Sequence, residues 1–332
     1  MIISKVPLRV SFIGGGSDYP EWFRENRGAV LGATIDKSVF VTLGELSKFS
    51  EEKFRFTYRV TESVNSVDEF KHPVVREVLK RHFAGEFLQG LNLGTFADIP
   101  GHSGMGSSSS FSVGLLHALE EFKNPGTVSK EYLAATAIHV EREILGEKGG
   151  WQDQYHAAFG GLRLYEFGPE GVTVGPQLLD QNGLSELSKY FVLVKVGKAR
   201  NSQVSASRTS QHFALPDFQK ALRKQVELTK DLAISLQGQT TEVFARRLFD
   251  AVRQSSEWKS SLGDSVVPKE VNDVGLIGEA LGAKCHKLLG AGGSGYILFG
   301  ADPEKINAIK SHFHSEYLGF EFSSLGTQVF RI

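Results

Sequence analysis

Glycine and serine are concentrated between Pro100 and Ser110, directly before the apolar, helix-like run from Phe111 to Leu119. The glycines of this stretch are Gly101, Gly104 and Gly106. Glycine lets the backbone take positive φ and approach a ligand closely, and the amides at a helix N-terminus attract an anion. Serine hydroxyls add oxygens for phosphate or metal. The stretch therefore predicts a phosphate-binding loop.

This loop differs from the common nucleotide-binding loop at one position. Gly101 and Gly106 have the spacing of G-x-x-x-x-G-K-[ST], but Ser107 stands where that motif requires lysine. The chain is therefore not a P-loop NTPase. The alternative interpretation is a serine-rich turn in which Ser107 or Ser108 only caps the helix.

A second glycine cluster follows a strand-like segment near the N-terminus. Three consecutive glycines at 14–16 separate that segment from Asp18. Such a turn leaves the next side chains facing a cleft, where a carboxylate accepts hydrogen bonds from a sugar. The alternative is a glycine-rich hairpin with Asp18 as an ordinary turn residue. Arg9 lies in the apolar strand, where a guanidinium needs a partner or an anion such as the phosphate in transfer.

A third glycine cluster runs from Gly290 to Gly295 and formally contains G-x-G-x-x-G. The dinucleotide fingerprint requires a strand before these glycines and a helix after them. Here a helix-like stretch, Val271 to Leu289, precedes them and a strand, Tyr296 to Phe299, follows. The pattern therefore predicts a helix-to-strand turn that packs closely against another loop or a ligand.

In this order, the three motifs resemble those of the GHMP kinases, the family of galactokinase, homoserine kinase, mevalonate kinase and phosphomevalonate kinase. The resemblance spans nearly the whole chain. The first motif matches the family pattern at Arg9, Gly14, Asp18 and Tyr19. Gly15 and Gly16 stand where galactokinases carry Glu-His, which argues against a galactokinase. The Gly-Gly-Gly-Ser-Asp form resembles the D-glycero-D-manno-heptose 7-phosphate kinases, with fucokinase domains close behind.

The other two motifs depart from the family pattern only by small changes in bulk. Met105 replaces a leucine, and Ser109 and Ser110 replace two alanines. Ser294 interrupts the glycine run of the third motif. We expect the loops to keep their function.

The resemblance implies roles for the second motif and for two carboxylates. Mg²⁺ would be held by Ser108 and Glu141, while Arg9 would face the γ-phosphate of ATP. Asp153 would act as the base that takes the proton of the sugar's anomeric hydroxyl. The residues that would bind ATP are Gly101, Ser103, Gly104, Met105, Gly106, Ser107, Ser108 and Ser109.

Glu141 also stands out in the sequence pattern. In a predicted helix from Ser129 to Leu145 it falls on an apolar stripe, where a carboxylate needs a partner. The alternative is a flanking charge that pairs with Arg142 or Lys148. An apparent extra residue, Trp151, lies in the loop between Glu141 and Asp153.

The first motif and a basic segment supply the residues predicted to bind the substrate. Sugar hydroxyls would meet Gly15, Gly16, Ser17 and Asp18. Apart from the substrate side, the site residues of the third loop would be Gly290, Gly292 and Gly293. A phosphorylated sugar requires a second anion site, for which Lys198 and Arg200 are the candidates. The alternative for these cations is a solvated turn at a strand end.

The composition predicts that the binding partners of this protein are small molecules. The 332 residues include 37 Lys and Arg against 38 Asp and Glu, so we expect neither nucleic acid nor an anionic membrane as a partner. The one cysteine, Cys285, fits a reducing compartment, and the N-terminus reads directly into a strand without signal-peptide features. We expect a cytoplasmic enzyme, with a homodimer as a possible assembly.

The expected fold is α+β. Strand-like stretches such as 39–43, 54–60 and 91–97 surround helical ones at 73–83 and 129–145, and a glycine-, proline- and asparagine-rich passage ends near Gly183. The resemblance implies an N-terminal ATP-binding domain, 1–183, like ribosomal protein S5 domain 2. A ferredoxin-like C-terminal domain, 184–332, would follow, with the active site between the two.

The predicted function is an ATP- and Mg²⁺-dependent sugar kinase. Its reaction would convert D-glycero-D-manno-heptose 7-phosphate to the 1,7-bisphosphate, for nucleotide-activated heptose in bacterial surface polysaccharide. One alternative is a related sugar-1-kinase acting on an unphosphorylated sugar such as L-fucose. Another, of a different class, is a sugar and ATP sensor without turnover.

Overall fold

The computed structural model describes residues 1–82, 90–101, 103–197, 212–260, 267–290 and 292–332. Its strands, in chain order, are β1 (Ile2–Ile13), β2 (Gly28–Glu45), β3 (Phe54–Thr57), β4 (Thr61–Val64), β5 (Leu91–Ala97), β6 (Leu162–Gly168), β7 (Gly171–Val174), β8 (Phe191–Val196), β9 (Cys285–Leu288), β10 (Gly295–Gly300), β11 (Tyr317–Leu318), β12 (Phe322–Ser323) and β13 (Gln328–Arg331). The described α-helices are α1 (Pro20–Asn26), α2 (Pro73–His82), α3 (Ser107–Lys123), α4 (Lys130–Ile138), α5 (Gln152–Phe159), α6 (Gln181–Ser188), α7 (Pro216–Ser235), α8 (Thr241–Ser260), α9 (Lys269–Ala280) and α10 (Pro303–His312). This mixture confirms the predicted α+β class.

The larger sheet is built on the long antiparallel pair of β1 and β2. Its strand order is β13-β1-β2-β5-β3-β4, with β6 and β12 also pairing with β2, and β7 pairing with β6. Helix α3 packs against β1 and β2 at a close approach: a Cβ on Gly114 would lie 2.8 Å from Val6 Cγ2. The Ser4 hydroxyl donates to the Gly114 carbonyl at 2.8 Å. This contact fixes the height of α3 above the sheet and therefore the position of its N-terminus.

The smaller sheet has the order β11-β8-β10-β9. Its central strands β8 and β10 are almost fully buried, with Val194 opposite Ile297 in the antiparallel register. One apolar cluster joins these strands to α10 through Ile306 and Ile309. Proline at the first position of α10 fits a helix start, because its fixed φ is helical and the first amide needs no partner. Within the described residues, none of the helices is both long and apolar enough to cross a membrane.

The last strands return to the first sheet. β12 pairs with β2, and β13 pairs with β1 from Ile2 opposite Arg331 to Lys5 opposite Gln328. Residue 183, where we place the boundary from sequence, lies inside α6. The division into 1–183 and 184–332 stays a prediction, and a cut at 183 leaves both closing strands apart from the sheet they complete.

The helix predicted from Val271 to Leu289 is wrong in its second half. α9 ends at Ala280, and β9 pairs with β10 through Leu288 opposite Ile297. Gly282 has φ +104, a left-handed conformation that ends the helix at little cost for glycine. The third glycine cluster therefore joins two strands. The dinucleotide fingerprint remains excluded, because β10 rather than a helix follows the glycines.

Two smaller expectations also need correction. The helix predicted over 129–145 is regular only to Ile138, and residues 139–144 continue as a π-helical turn that carries Glu141. The strand predicted at 54–60 is shorter than expected, because β3 ends at Thr57.

Candidate active site

All three glycine-rich motifs meet at one cavity of about 1080 Å³. β1 brings Arg9 to it, the loop before α3 brings Gly104, and the loop between β9 and β10 brings Gly290. These residues are far apart in the chain, so the tertiary fold assembles the cavity. Its size is in the range of small-molecule sites.

The second and third motifs are packed backbone against backbone. Gly104 has φ +78, and a Cβ there would lie 2.7 Å from the Leu289 carbonyl oxygen. Gly295 has φ +135, and its Cβ would lie 2.7 Å from the Ser103 carbonyl oxygen. Only glycine combines this conformation with this approach. The structure therefore confirms that the third loop packs closely against another loop, as predicted.

Arg9 and Asp153 form the charged centre of the cavity. Arg9 Nε donates to Asp153 Oδ1 at 2.9 Å, and Nη2 lies 2.7 Å from the same oxygen. Arg9 Nη1 donates to the Gly104 carbonyl at 2.6 Å. The side chains of Arg9 and Asp153 are 7% and 25% exposed. The predicted pair is thus brought together, with the carboxylate as its more accessible member.

Asp153 is positioned by the first turn of α5, directly opposite the start of α3. A Cβ on Gly106 would lie 3.3 Å from Asp153 Cγ. Gly106 has φ +77 and precedes Ser107, the first residue of α3. The carboxylate therefore lies beside the amides at a helix N-terminus, where negative charge is favoured.

Glu141 is buried at the edge of the cavity. Its Oε2 accepts hydrogen bonds from Ser109 Oγ at 3.0 Å and from Gln154 Nε2 at 2.6 Å. Its Oε1 has no hydrogen-bond partner among the described residues. Burial raises the pKa of this carboxyl above its ordinary value.

The serines after Gly106 are divided between two environments. Ser107 and Ser108 line the cavity, and Ser108 is exposed, whereas Ser109 is buried against Glu141. We predict Ser108 as the partner of Glu141 at a metal. In the structure the direct contact is made by Ser109, at a position where the family usually has alanine.

The other residues predicted to bind ATP are likewise divided between the cavity lining and the buried interior. Gly101, Gly104 and Gly106 line the cavity. Ser103 and Met105 are buried at 3% and 0% exposure. The Met105 carbonyl accepts a hydrogen bond from the Arg9 amide at 3.2 Å, so this residue connects the first two motifs through its backbone.

Asp18 joins the first motif to the loop before α5. Its Oδ1 accepts from the Gly16 amide at 2.9 Å, and its Oδ2 accepts from Gln152 Nε2 at 3.0 Å. A Cβ on Gly150 would lie only 1.7 Å from Asp18 Oδ2. Burial, and then the charge of Asp153, raise the pKa of Asp18. The carboxylate is therefore committed to contacts within the protein.

Of the remaining residues predicted for the substrate side and the third loop, only some line the cavity. Gly15 and Gly16 line it, whereas Ser17 is fully buried and donates to the Gly14 and Ala29 carbonyls at 2.7 and 3.0 Å. In the third loop Gly290 lines the cavity, and Gly292 and Gly293 have φ of +112 and +87. Lys198 and Arg200 lie outside the described residues.

Residues that we did not predict complete one wall of the cavity. The last turns of α8 present Ser255, Trp258 and Lys259, at i, i+3 and i+4 spacing on one face. A Cβ on Gly16 would lie 3.3 Å from Trp258 Cη2, so the indole packs over the first motif. Helix α8 has no local signal for this role, because its amphipathic pattern is that of an ordinary surface helix.

One end of the cavity is lined by aromatic side chains. Tyr58, His72, Phe96 and Phe111 line it. Buried Glu62 holds this end together by accepting hydrogen bonds from Tyr58 Oη at 3.0 Å and from the amides of Lys71 and His72 at 2.5 and 3.2 Å. Burial lowers the pKa of His72, so its ring is held neutral.

Comparison with known proteins agrees with the motifs. Residues 71–161 match the N-terminal domain of the GHMP kinases. A D-glycero-alpha-D-manno-heptose 7-phosphate kinase of Campylobacter jejuni is 29% identical over 100% of this chain and 99% of its own. A bifunctional fucokinase/GDP-fucose pyrophosphorylase of Arabidopsis thaliana is 23% identical over 94% of this chain and 31% of its own.

The fold has solved relatives of the same kind. A D-glycero-D-manno-heptose 1-phosphate kinase from Bacteroides thetaiotaomicron superposes with a TM-score of 0.78, at 23% identity, over 100% of this chain and 99% of that one. This similarity extends over both sheets. The chain is therefore similar to the GHMP kinases over its full length, shares their α+β fold, and is a phosphotransferase with an alcohol group as acceptor.

Proposed function

We propose that this kinase transfers the γ-phosphoryl group of ATP to the anomeric C1 hydroxyl of D-glycero-D-manno-heptose 7-phosphate. The product is the 1,7-bisphosphate, a precursor of nucleotide-activated heptose for bacterial surface polysaccharide. The observation that carries the chemistry is the Arg9–Asp153 pair beside the N-terminus of α3. The full-length similarity to a heptose 7-phosphate kinase supports the choice of sugar.

Asp153 is the group that accepts the proton. The C1 oxygen attacks the γ-phosphorus, its proton passes to Asp153, and ADP leaves with the electrons of the broken bond. Arg9 orients the carboxylate by two contacts and adds positive charge where the transferring group carries negative charge. The Gly104 carbonyl holds the guanidinium in this orientation.

The amides of Ser107 and Ser108 are placed to receive the phosphates. They lie at the N-terminus of α3, where unpaired N–H groups and the helix dipole favour an anion. The aromatic end formed by Tyr58, His72, Phe96 and Phe111 has the flat, apolar character that a purine base requires. We therefore place the adenine at that end and the sugar beside Gly15 and Gly16.

The donor set around Glu141 fits Mg²⁺. Among the described residues, the buried Oε1 has no hydrogen-bond partner, while Ser109 Oγ contacts the other oxygen, Oε2. Mg²⁺ prefers such hard oxygen ligands. Glu141 and the hydroxyl of Ser108 or Ser109 would hold it, together with ATP oxygens and water. When bound, the ion supplies positive charge that shields the phosphates. Gln154 and Ser109 orient the carboxylate through their hydrogen bonds to Oε2.

The sugar-side wall differs from that of galactokinases through its glycines. Because Gly15 and Gly16 have no side chains, Trp258 reaches the first motif and faces the same space as Ser255. An indole offers an apolar surface for the C–H groups of a sugar ring. The 7-phosphate site at Lys198 and Arg200 remains a prediction from sequence. We also expect a cytoplasmic enzyme with small-molecule partners and a possible homodimeric assembly.

The test is Mg²⁺-dependent ADP release from ATP over a panel of acceptors. The panel contains D-glycero-D-manno-heptose 7-phosphate, the unphosphorylated heptose, D-mannose and L-fucose. We expect turnover confined to the 7-phosphate. A preference for L-fucose or another unphosphorylated sugar would move the substrate to the fucokinase-like alternative, for which the similarity over 94% of this chain is the supporting observation. Binding of ATP without turnover on any sugar would instead favour a sensor.

A further inference from the structure

Two buried lysines line the cavity beside the groups described above. Lys259 of α8 and Lys287 of β9 are 9% and 6% exposed. Lys259 Nζ donates to the carbonyls of Leu288 and Gly290 at 2.9 and 2.5 Å. Lys287 Nζ donates to the carbonyls of Ser11 and Phe12 at 3.0 and 2.9 Å. The pair therefore ties the third motif to α8 and to the strand of the first motif.

All four acceptors are carbonyl oxygens. In the part of the chain that the structure describes, no carboxylate oxygen lies within 4.0 Å of either nitrogen. A neutral lysine amine carries two N–H bonds, and an ammonium carries three. Two carbonyls satisfy the neutral amine. The third N–H of the ammonium needs another acceptor, and the open cavity is where a ligand can supply one.

The charges around the two lysines increase the need of a protonated lysine for an anionic acceptor. The positive charge of Arg9 acts on both lysines, and the charge of Lys259 acts on Lys287. The acids nearby are Asp18, which faces Lys287, and Asp153, which is already paired with Arg9. Burial, and then the charge of Arg9, lower the pKa of Lys259 to about 7. Burial, Lys259 and Arg9 lower the pKa of Lys287 well below its ordinary value.

We propose that Lys259 and Lys287 form a proton-linked anion site, in which a phosphate group of one of the two substrates binds and Lys259 takes up a proton. The proton comes from solvent, and the new N–H of Lys259 donates to a phosphate oxygen. The proposal rests on the proposed function only in requiring a phosphate-bearing ligand. That phosphate belongs either to the nucleotide or to the sugar, and the two sources are distinguished by experiment.

A pH dependence of binding follows from this linkage. Lys259 is protonated in the free protein below about pH 7, where phosphate binding needs no proton uptake. Above that pH binding of the phosphate requires Lys259 to take up a proton from solvent, so the affinity falls by up to about tenfold for each further pH unit. The loss stops where the pH exceeds the pKa of Lys259 in the complex.

The experiment is isothermal titration calorimetry of the full chain with ATP in the absence of sugar and, separately, with D-glycero-D-manno-heptose 7-phosphate. Each titration is run in two buffers of different ionisation enthalpy, whose difference gives the number of protons taken up. At about pH 8 a phosphate monoester is already doubly ionised, so protons taken up there go to the protein. We expect uptake approaching one proton per bound ligand for one of the two, and little uptake at about pH 6.

Variants then assign the proton. Lys259→Met removes the titrating group, and Lys259→Arg keeps a charge that does not titrate in this range, so both are expected to abolish the uptake. Lys224→Met, on the exposed face of α7, is the matched control and is expected to keep it. Uptake only with ATP assigns the bound phosphate to the nucleotide, and uptake only with the sugar phosphate assigns it to the sugar.

Absence of proton uptake with both ligands in the unmodified chain would overturn the proposal, whatever the variants do. Uptake that persists unchanged in a folded Lys259→Arg protein would also overturn it. Both outcomes are separate from failure of the proposed function, which is judged by phosphoryl transfer to the sugar panel.

Discussion

A single carboxylate, Asp153, carries most of the proposed chemistry. It is held from one side by Arg9 and lies beside Gly106 at the start of α3, so its negative charge is stabilised in two ways. Its side chain is nevertheless one quarter exposed, which leaves it accessible to a substrate hydroxyl. Orientation and access together are what a general base requires.

Asp153→Asn is expected to lower kcat by about 10²- to 10⁴-fold, because the amide cannot accept the hydroxyl proton. ATP affinity is expected to change little, since the aromatic end and the α3 amides are untouched. The measurements are steady-state kinetics for turnover and calorimetry for ATP binding. Asp231→Asn, an exposed change on α7, serves as the control. Near-normal turnover of Asp153→Asn would reject Asp153 as the base.

Some residues of the site are predictable from the sequence, and others are not. Arg9 is predictable because it belongs to the first motif, and Asp153 is predictable because the family resemblance implies its role as the base. Lys259 and Lys287 carry no such signal, because a lysine in an amphipathic helix or before a glycine run is ordinarily solvated. Their burial depends on α8 and β9 packing against β1, which is a tertiary event.

At the scale of elements, the contact between the second and third motifs positions the phosphate loop. Gly104 and Gly295 allow the two loops to touch through backbone atoms, and no side chain separates them. The N-terminus of α3 is thereby fixed against β9 and β10. Loss of this contact is expected to affect both stability and nucleotide binding.

Gly104→Ala and Gly126→Ala form a matched pair that isolates this contact. Both glycines have similar φ, +78 and +70, but a Cβ on Gly104 meets the Leu289 carbonyl at 2.7 Å whereas one on Gly126 meets nothing within 4 Å. We expect Gly126→Ala to cost about 1 kcal/mol of unfolding free energy from backbone strain alone. Gly104→Ala is expected to cost about 1–3 kcal/mol more, from steric overlap, and to raise the KM for ATP.

Urea denaturation and steady-state kinetics measure the two effects. Equal losses of stability in the two variants, with an unchanged KM for ATP, would contradict a functional contact between the motifs.

Elements with a strong local sequence pattern were predictable, whereas elements whose conformation depends on tertiary contacts were not. The strand β5, Leu91–Ala97, has the bounds predicted from the sequence. Residues 285–288 read as helix in sequence, yet they form β9 because pairing with β10 buries Cys285 and Leu288. The π-helical turn that places Glu141 likewise has no signature in the sequence pattern.

For the whole molecule, the α+β class and the meeting of three motifs could be predicted, but the closure of the chain could not. β13 pairs with β1, so the last residues complete the sheet that the first residues begin. Strand pairing over this separation depends on tertiary packing rather than on local propensity. The same packing places α8 on the cavity and supplies Trp258, for which the three motifs give no indication.

The most direct test of C1 phosphorylation is ³¹P NMR of the reaction of the unmodified chain with ATP, Mg²⁺ and D-glycero-D-manno-heptose 7-phosphate. We predict a new phosphate resonance coupled to the anomeric proton, with the original phosphate on C7 retained and ADP formed in equal amount. An unchanged heptose 7-phosphate, or a new phosphate on any other carbon, would contradict the proposed reaction.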